Sequence, residues 1–209
     1  MASSVTAAGT NTGAGDPSVT ISGASLGDAA AGRYIVVTCR LRTSGNNDPI
    51  ASATIGGVTA TLTHTSTSGQ NSLAVVMANV PTGTTGDIVL TGANILRGRI
   101  TVYRLDDVGS VTPVTTSTST ADPFAFSLNT AADSVIIAVC SVNATATYTP
   151  GGTNALTEDD DNQQVSLAST SEHLDFVSAV TPAACEADQT ATGSAFGFAA
   201  SWSFVAAGA

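Results

Sequence analysis

Residues 33–43 read RYIVVTCRLRT, and residues 134–142 read SVIIAVCSV. In an extended chain successive side chains point to opposite sides. The first stretch therefore puts Ile35, Val37, Cys39 and Leu41 on one face, and Tyr34, Arg40 and Arg42 on the other. β-Branched residues dominate both stretches, and their stiff χ1 suits a pleated sheet better than a helix. Each stretch is a strand with one cysteine inside it.

The signals around these two strands repeat in the same order. Ser18–Ser22 precedes the first and Phe124–Leu128 the second. Gly56-Gly57, between Ala51–Ile55 and Val58–Thr65, has the form of a two-residue hairpin turn, and Gly151-Gly152 answers it. Ser72–Val80, Asp87–Thr91 and Arg97–Leu105 complete the first set; Val165–Ser169, His173–Ala179 and Phe196–Phe204 complete the second. A shared order of strand, loop, cysteine-bearing strand and Gly-Gly turn points to duplication. Short strands at a spacing of about 8–12 residues predict an all-β chain, a jelly-roll-like β-sandwich built from two similar half-repeats. The expected division is a flexible arm over 1–16, a first half-repeat over 17–106 and a second over 107–209 packed against the first. Asp106–Ser110, the junction, is too short for a free tether. The arm is polar and small, and reads as mobile or as a strand ordered only against a partner.

Charge is distributed as unevenly as the strands are regular. The 209 residues hold six arginines, all between Arg33 and Arg104, and no lysine. Residues 1–105 carry four Asp, so that part is net +2, while the twelve acids from Asp106 onward face no base at all. Such a field argues about partners rather than fold: it suits association with copies of the same chain and excludes a nucleic-acid footprint dense in Lys and Arg. Hydrophobic residues at 43% exclude wholesale disorder. The first residues lack the basic and apolar runs of a secretory signal, and no stretch of about 18 apolar residues exists to span a bilayer. The expectation is a soluble chain that folds in a cytosol, with no membrane and no nucleic acid among its partners. Three cysteines (Cys39, Cys140 and Cys185) at wide spacing fit neither a disulfide framework nor a zinc site. Cys39 and Cys140 read as small buried hydrophobes.

Several motifs touch on chemistry. Gly23-Ala24-Ser25-Leu26-Gly27 matches the G-x-S-x-G pattern of a nucleophile elbow, but Asp28–Gly32 leaves no room for the helix that must follow. The bases on offer are His64 and His173, and no catalytic residue is assigned; the expectation is a non-enzyme without cofactor or metal. Glu158-Asp159-Asp160-Asp161 reads as a solvated loop. Calcium takes about six to eight oxygens, and the run lacks the alternation of an EF-hand. His173 in Glu172-His173-Leu174-Asp175 reads as a surface residue beside carboxylates, and Asn143-Ala144-Thr145 is a sequon without a secretory context. Phe196, Phe198, Trp202 and Phe204 fall on one strand face and read as core. Arg40 and Arg42 share the non-core face of one strand, Arg97 and Arg99 one face of another, with Tyr103 alongside. If the strands are neighbours, four guanidiniums form one patch, a candidate protein–protein interface.

The stretches RYIVVTCRLR (33–42), ATIGGV (53–58) and VPTGTTGDIV (80–89), with ALTED (155–159) and AASW (199–202), resemble a family of virion structural proteins of tailed bacteriophages and gene transfer agents. The resemblance covers about 18–204, and its motifs are strand and turn residues, so no catalytic residue carries over. It implies a cement or decoration protein on the outer capsid surface, or else a tail-fibre or spike domain binding a host receptor or glycan. It further implies the major capsid protein or other virion proteins as partners, a homo-oligomer, and a virion location after assembly in the host cytoplasm.

Overall fold

The computed structural model describes residues 4–9, 16–45, 49–120, 124–130, 133–142, 148–151, 156–164, 167–176, 180–189 and 195–204. These residues are all-β, and none is helical. The chain divides into two units at Asp107/Val108. The first holds β1 (Ser4–Gly9), β2 (Asp16–Ser25), β3 (Arg33–Thr43), β4 (Ile50–Ile55), β5 (Val58–Thr59), β6 (Thr61–Ser68), β7 (Asn71–Asn79) and β8 (Thr85–Asp106). The second holds β9 (Thr115–Ser119), β10 (Phe124–Thr130), β11 (Ser134–Val142), β12 (Tyr148–Gly151), β13 (Thr157–Gln164), β14 (Leu167–Phe176), β15 (Val180–Gln189) and β16 (Ala195–Ser203).

Each unit contains both sheets of a sandwich. In the first, the early half of β8 pairs with β2 and β4, and the late half with β3 and β1. One 22-residue strand thus serves two sheets. It bends at Asn94, whose φ of 55° lies in the left-handed region that Asn tolerates. The sequence reading expected a break at Gly92–Asn94; the backbone turns there without leaving its ladders. In the second unit the same two roles fall to separate strands, giving sheets ordered β10-β15-β12 and β13-β14-β11-β16-β9. In the second unit strands one, eight, three, six and five share one sheet and two, seven and four the other; in the first, β1, late β8, β3, β7 and β6 answer the one and β2, early β8, β4 and β5 the other, an interleaving of jelly-roll type.

The repetition extends to register. Cys39 lies opposite Ala74 and Ile100; Cys140 lies opposite Thr170 and Gly197. Three positions before each cysteine, Val36 faces Met77 and Ile137 faces His173. Next to these, both units carry the same β-bulge: Thr61↔Met77 and Leu62↔Val76 skip Thr63 before His64↔Val75, while Thr157↔His173 and Glu158↔Glu172 skip Asp159 before Asp160↔Ser171. A bulge kept at one address in both units marks one architecture used twice. It also corrects the sequence reading of Glu158–Asp161, which is strand β13 at a sheet edge and not a loop. Residues 4–9, read as part of an arm, form β1 on the same chain's β8.

The cores are filled differently. In the first unit Val19 and Ile21 from β2 join Val37, Cys39, Val76, Leu90, Ile100 and Val102 in one buried cluster. In the second, Phe124 and Phe126 from β10 stack with centroids 6.5 Å apart. A Cβ on Gly197 would come within 2.9 Å of Phe126 and 3.1 Å of the Cys140 sulfur. Larger residues on β10 are therefore offset by glycine where the first unit has Ile100, so that volume is conserved across the sandwich. Gly56 and Gly57, at φ 57° and 80°, make the expected primed turn between β4 and β5.

The crossovers of the first unit, β2 to β3 and β7 to β8, meet at Arg33. Its side chain is fully buried, and its Nε and Nη atoms donate to six carbonyls: Leu26, Gly27, Asp28, Val80, Thr82 and Gly83, at 2.7–3.2 Å. Burial and then Arg104 lower its pKa, with Asp106 and Asp28 acting the other way, yet a guanidinium stays charged. Removing it would leave buried carbonyls without donors. Arg33→Ala is expected to cost about 3 kcal/mol or more, read as a lower urea midpoint, and Arg33→Lys to recover only part, since an ammonium has three donors and no planar fork. A midpoint unchanged in Arg33→Ala would contradict this role.

Candidate functional site

The arginines on which the sequence reading centred lie on adjacent strands. β3 and β8 run antiparallel, and Arg40 faces Arg99 while Arg42 faces Arg97. The two pairs alternate with Cys39, Leu41 and Ile100, which point into the core, so the four sit as a block on the opposite face. Arg97 is placed here by register alone. Directly opposed like charges are unfavourable in a ladder unless neighbouring groups offset them.

Its surroundings differ from a solvated patch. Arg40 and Tyr103 are 0% exposed, while Arg42 and Arg99 are half-buried. Val36, Thr38, Leu73, Val75, Met77 and Thr101, on the same face, are also buried. Arg40 and Tyr103 are thus closed off from solvent, while Arg42 and Arg99 keep part of their surface open to it. Arg42 donates from Nη1 to Asn71 Oδ1 at 3.3 Å and from Nη2 to Gln70 Oε1, so the β6–β7 turn steadies it. Alternation in the sequence locates the face but not what buries it. The one signal of a doubly covered strand was Val36 and Thr38 on the face with the arginines.

The second polar constellation went unnoticed in the sequence because its members are apart in the chain. Both carboxylate oxygens of Asp159 lie 2.7–2.9 Å from His173 Nδ1. Asp159 is the extra residue of the β13 bulge, and a bulge re-aims a side chain. Here it turns a carboxylate onto the ring on β14. The side chains are 5% and 18% exposed, so this is an inward pair rather than a surface companion of the neighbouring Glu172 and Asp175. At the same addresses the first unit has Thr63 and Met77. Among the described residues no group of three or more His, Cys, Asp or Glu side chains is placed to hold a metal ion.

Ser25 is the exposed last residue of β2, opposite Thr85. Leu26 after it is buried in the core, and the chain then runs without helix into β3, so the strand–turn–helix of a nucleophile elbow is not formed. Phe196, Phe198 and Trp202 are buried and Phe204 half-buried. The first three lie on the face opposite that of Gly197, which points at Phe124 and Phe126. Asn143-Ala144-Thr145 lies outside the described residues, as do the Gly152 turn and the side chains of Arg97 and Cys185.

No family model matches the sequence, and no curated protein matches it.

Two outcomes follow from these environments. Cys39 and Cys140 are both buried, and burial pushes the Cys39 thiol well above its usual range, against the weaker pull of Arg40. A thiol reagent should label neither under native conditions, and rapid labelling of both would contradict the placement. Burial lowers the pKa of His64 from its usual 6.5. As pH falls below about 6.5 the unfolded chain takes up a proton that folded His64 resists, so stability is lost with acidification. Between pH 7.5 and 5 the wild-type chain should lose more stability than His64→Gln in urea titrations; parallel curves would refute it.

Proposed function

We propose that this chain is a structural protein of a virus particle, a cement or decoration protein bound to the outer capsid surface of a tailed phage, with the major capsid protein and its own copies as partners. The observation that carries this reading is the division of charge between two units of one architecture. Up to Asp107 the six arginines are matched by six aspartates, so the whole net charge of −10 falls in the second unit. A jelly roll that is electrically neutral beside one that repels its like suits a repeated coat component, where one surface grips and another keeps particles apart.

The stretches that carry the family resemblance support the same reading by where they lie. They fall in β3, the β4–β5 hairpin, the entries to β8 and β13, and β16, which are framework positions. A glycan-binding fibre tip would instead present flat aromatic surface. Among the aromatic side chains described, Tyr103, Phe124, Phe126, Phe196, Phe198 and Trp202 are buried, and Tyr34 and Phe204 are half-buried.

The test is binding of the purified chain to particles that lack it, across a range of salt. Binding should weaken as salt rises. Arg42→Ser with Arg99→Ser should reduce it several-fold at low salt, because each partly exposed pair contributes only about 0.2–1 kcal/mol and many copies act together. No binding to such particles at any salt would overturn the proposal. Binding that ignores both salt and the substitutions would remove its electrostatic basis.

A further inference from the structure

β1 is hydrogen-bonded to β8 in a single antiparallel ladder. Six consecutive residues, Ser4 to Gly9, lie opposite Tyr103 to Gly98 without a register break. Their sequence is Ser-Val-Thr-Ala-Ala-Gly, in which Val5 is the one large apolar residue. Val5 and Ala7 stand opposite Val102 and Ile100, both buried in the core, and the strand lies at the end of that sheet.

The second unit has an equivalent edge strand. β9 holds the same place on β16, with Ser119 opposite Gly197 as Ala7 is opposite Ile100. It is also bound through side chains. Thr115 Oγ1 lies 3.0 Å from Ser201 Oγ and donates to the Asn129 carbonyl at 3.1 Å; the Ser127 N–H donates to Ser117 Oγ at 3.3 Å. In β1 the position of Ser117 is taken by Val5, which has no hydroxyl to offer.

We propose that the edge of β8 from Gly98 to Tyr103 is a docking site for the β1 strand of a second copy of this chain, and that neighbouring copies are joined by exchange of this strand. The occupant is known to fit, because the same segment lies on that edge in this structure. Exchange makes every ladder bond again in the same register, so its cost is the ordering of two chains rather than any lost contact. Six residues, 10–15, join β1 to β2 and span at most about 20 Å, so the partners sit side by side. Reciprocal exchange gives a two-fold dimer, and donation in one direction gives a chain of copies. The proposal deepens the coat-protein reading by naming a contact between copies, but exchange is a property of the pure protein. Its failure leaves particle binding to be judged separately.

The test uses two full-length variants, Thr6→Cys and Thr101→Cys, one carrying a mass tag. These residues face each other across the ladder. The two are unfolded together in urea, refolded at increasing concentration and oxidised. A disulfide-linked heterodimer that rises with concentration, and that is lost when Ala7→Pro is added to the Thr6→Cys chain, is the expected result. A single chain carrying both substitutions, refolded dilute, should close the bridge internally. If that chain closes while the mixture gives no heterodimer at any concentration, strand exchange is wrong. If neither bridge forms, the pairing of β1 on this edge is wrong, and the proposal falls with it.

Discussion

A single buried guanidinium holds the first unit's two sheets in relation to each other. In a jelly roll the chain repeatedly leaves one sheet for the other, and each crossover exposes carbonyls that no ladder satisfies. Arg33 sits at the start of β3, where the β2–β3 and β7–β8 crossovers come together, and answers six of those carbonyls at once. Its own carbonyl accepts from Val80 N–H at 3.0 Å and Asn79 Nδ2 at 3.0 Å, closing the knot from the other side. A planar, five-donor cation suits the task better than any neutral side chain, and its burial is tolerated because its N–H groups find oxygens.

The second unit has the same path without that device: Ser134, also buried, stands at the start of β11 where Arg33 begins β3. Similar exchanges recur along the shared framework. Arg40 and Arg99 correspond to Ser141 and Phe196, Ile100 to Gly197, and the Thr63–Met77 pair to Asp159–His173. The backbone register is kept, bulge included, while side-chain chemistry is redistributed. The charge asymmetry of the chain is the sum of such exchanges, with basic residues retained in one copy and carboxylates gathered in the other. Two units of one topology therefore carry unlike charge, neutral up to Asp107 and strongly acidic after it.

The bulge shows how a framework defect becomes a place for chemistry. In β6 it leaves Thr63 Oγ1 buried without a hydrogen-bond partner, and in β13 it carries Asp159 onto His173. Nothing in the pleat requires an imidazole–carboxylate pair there, since Thr63 and Met77 occupy the same addresses in the first unit. The pair belongs to what distinguishes the units, not to what makes them fold.

Alternation of β-branched and polar residues, two cysteine-bearing strands and a Gly-Gly turn were enough to determine an all-β sandwich and its internal repeat, because strand period and turn chemistry are local properties of the chain. The same alternation placed Arg40 with Arg42 and Arg97 with Arg99, each pair on one face of its strand, and the pairing of β3 with β8 brought the two together. Whether that face meets water is set by residues far away in sequence, and only the tertiary structure closed Arg40 and Tyr103 off. The acid run of β13 reads as loop because carboxylates are poor strand formers; pairing with β14 overrides that preference at an edge where their charge is tolerated. Nothing local sets Arg33 apart from the other arginines, and its six carbonyl partners come from two loops about 50 residues apart. Periodicity is written along the chain, but burial on a second face and the meeting of distant loops are not, because they depend on contacts that no local pattern encodes.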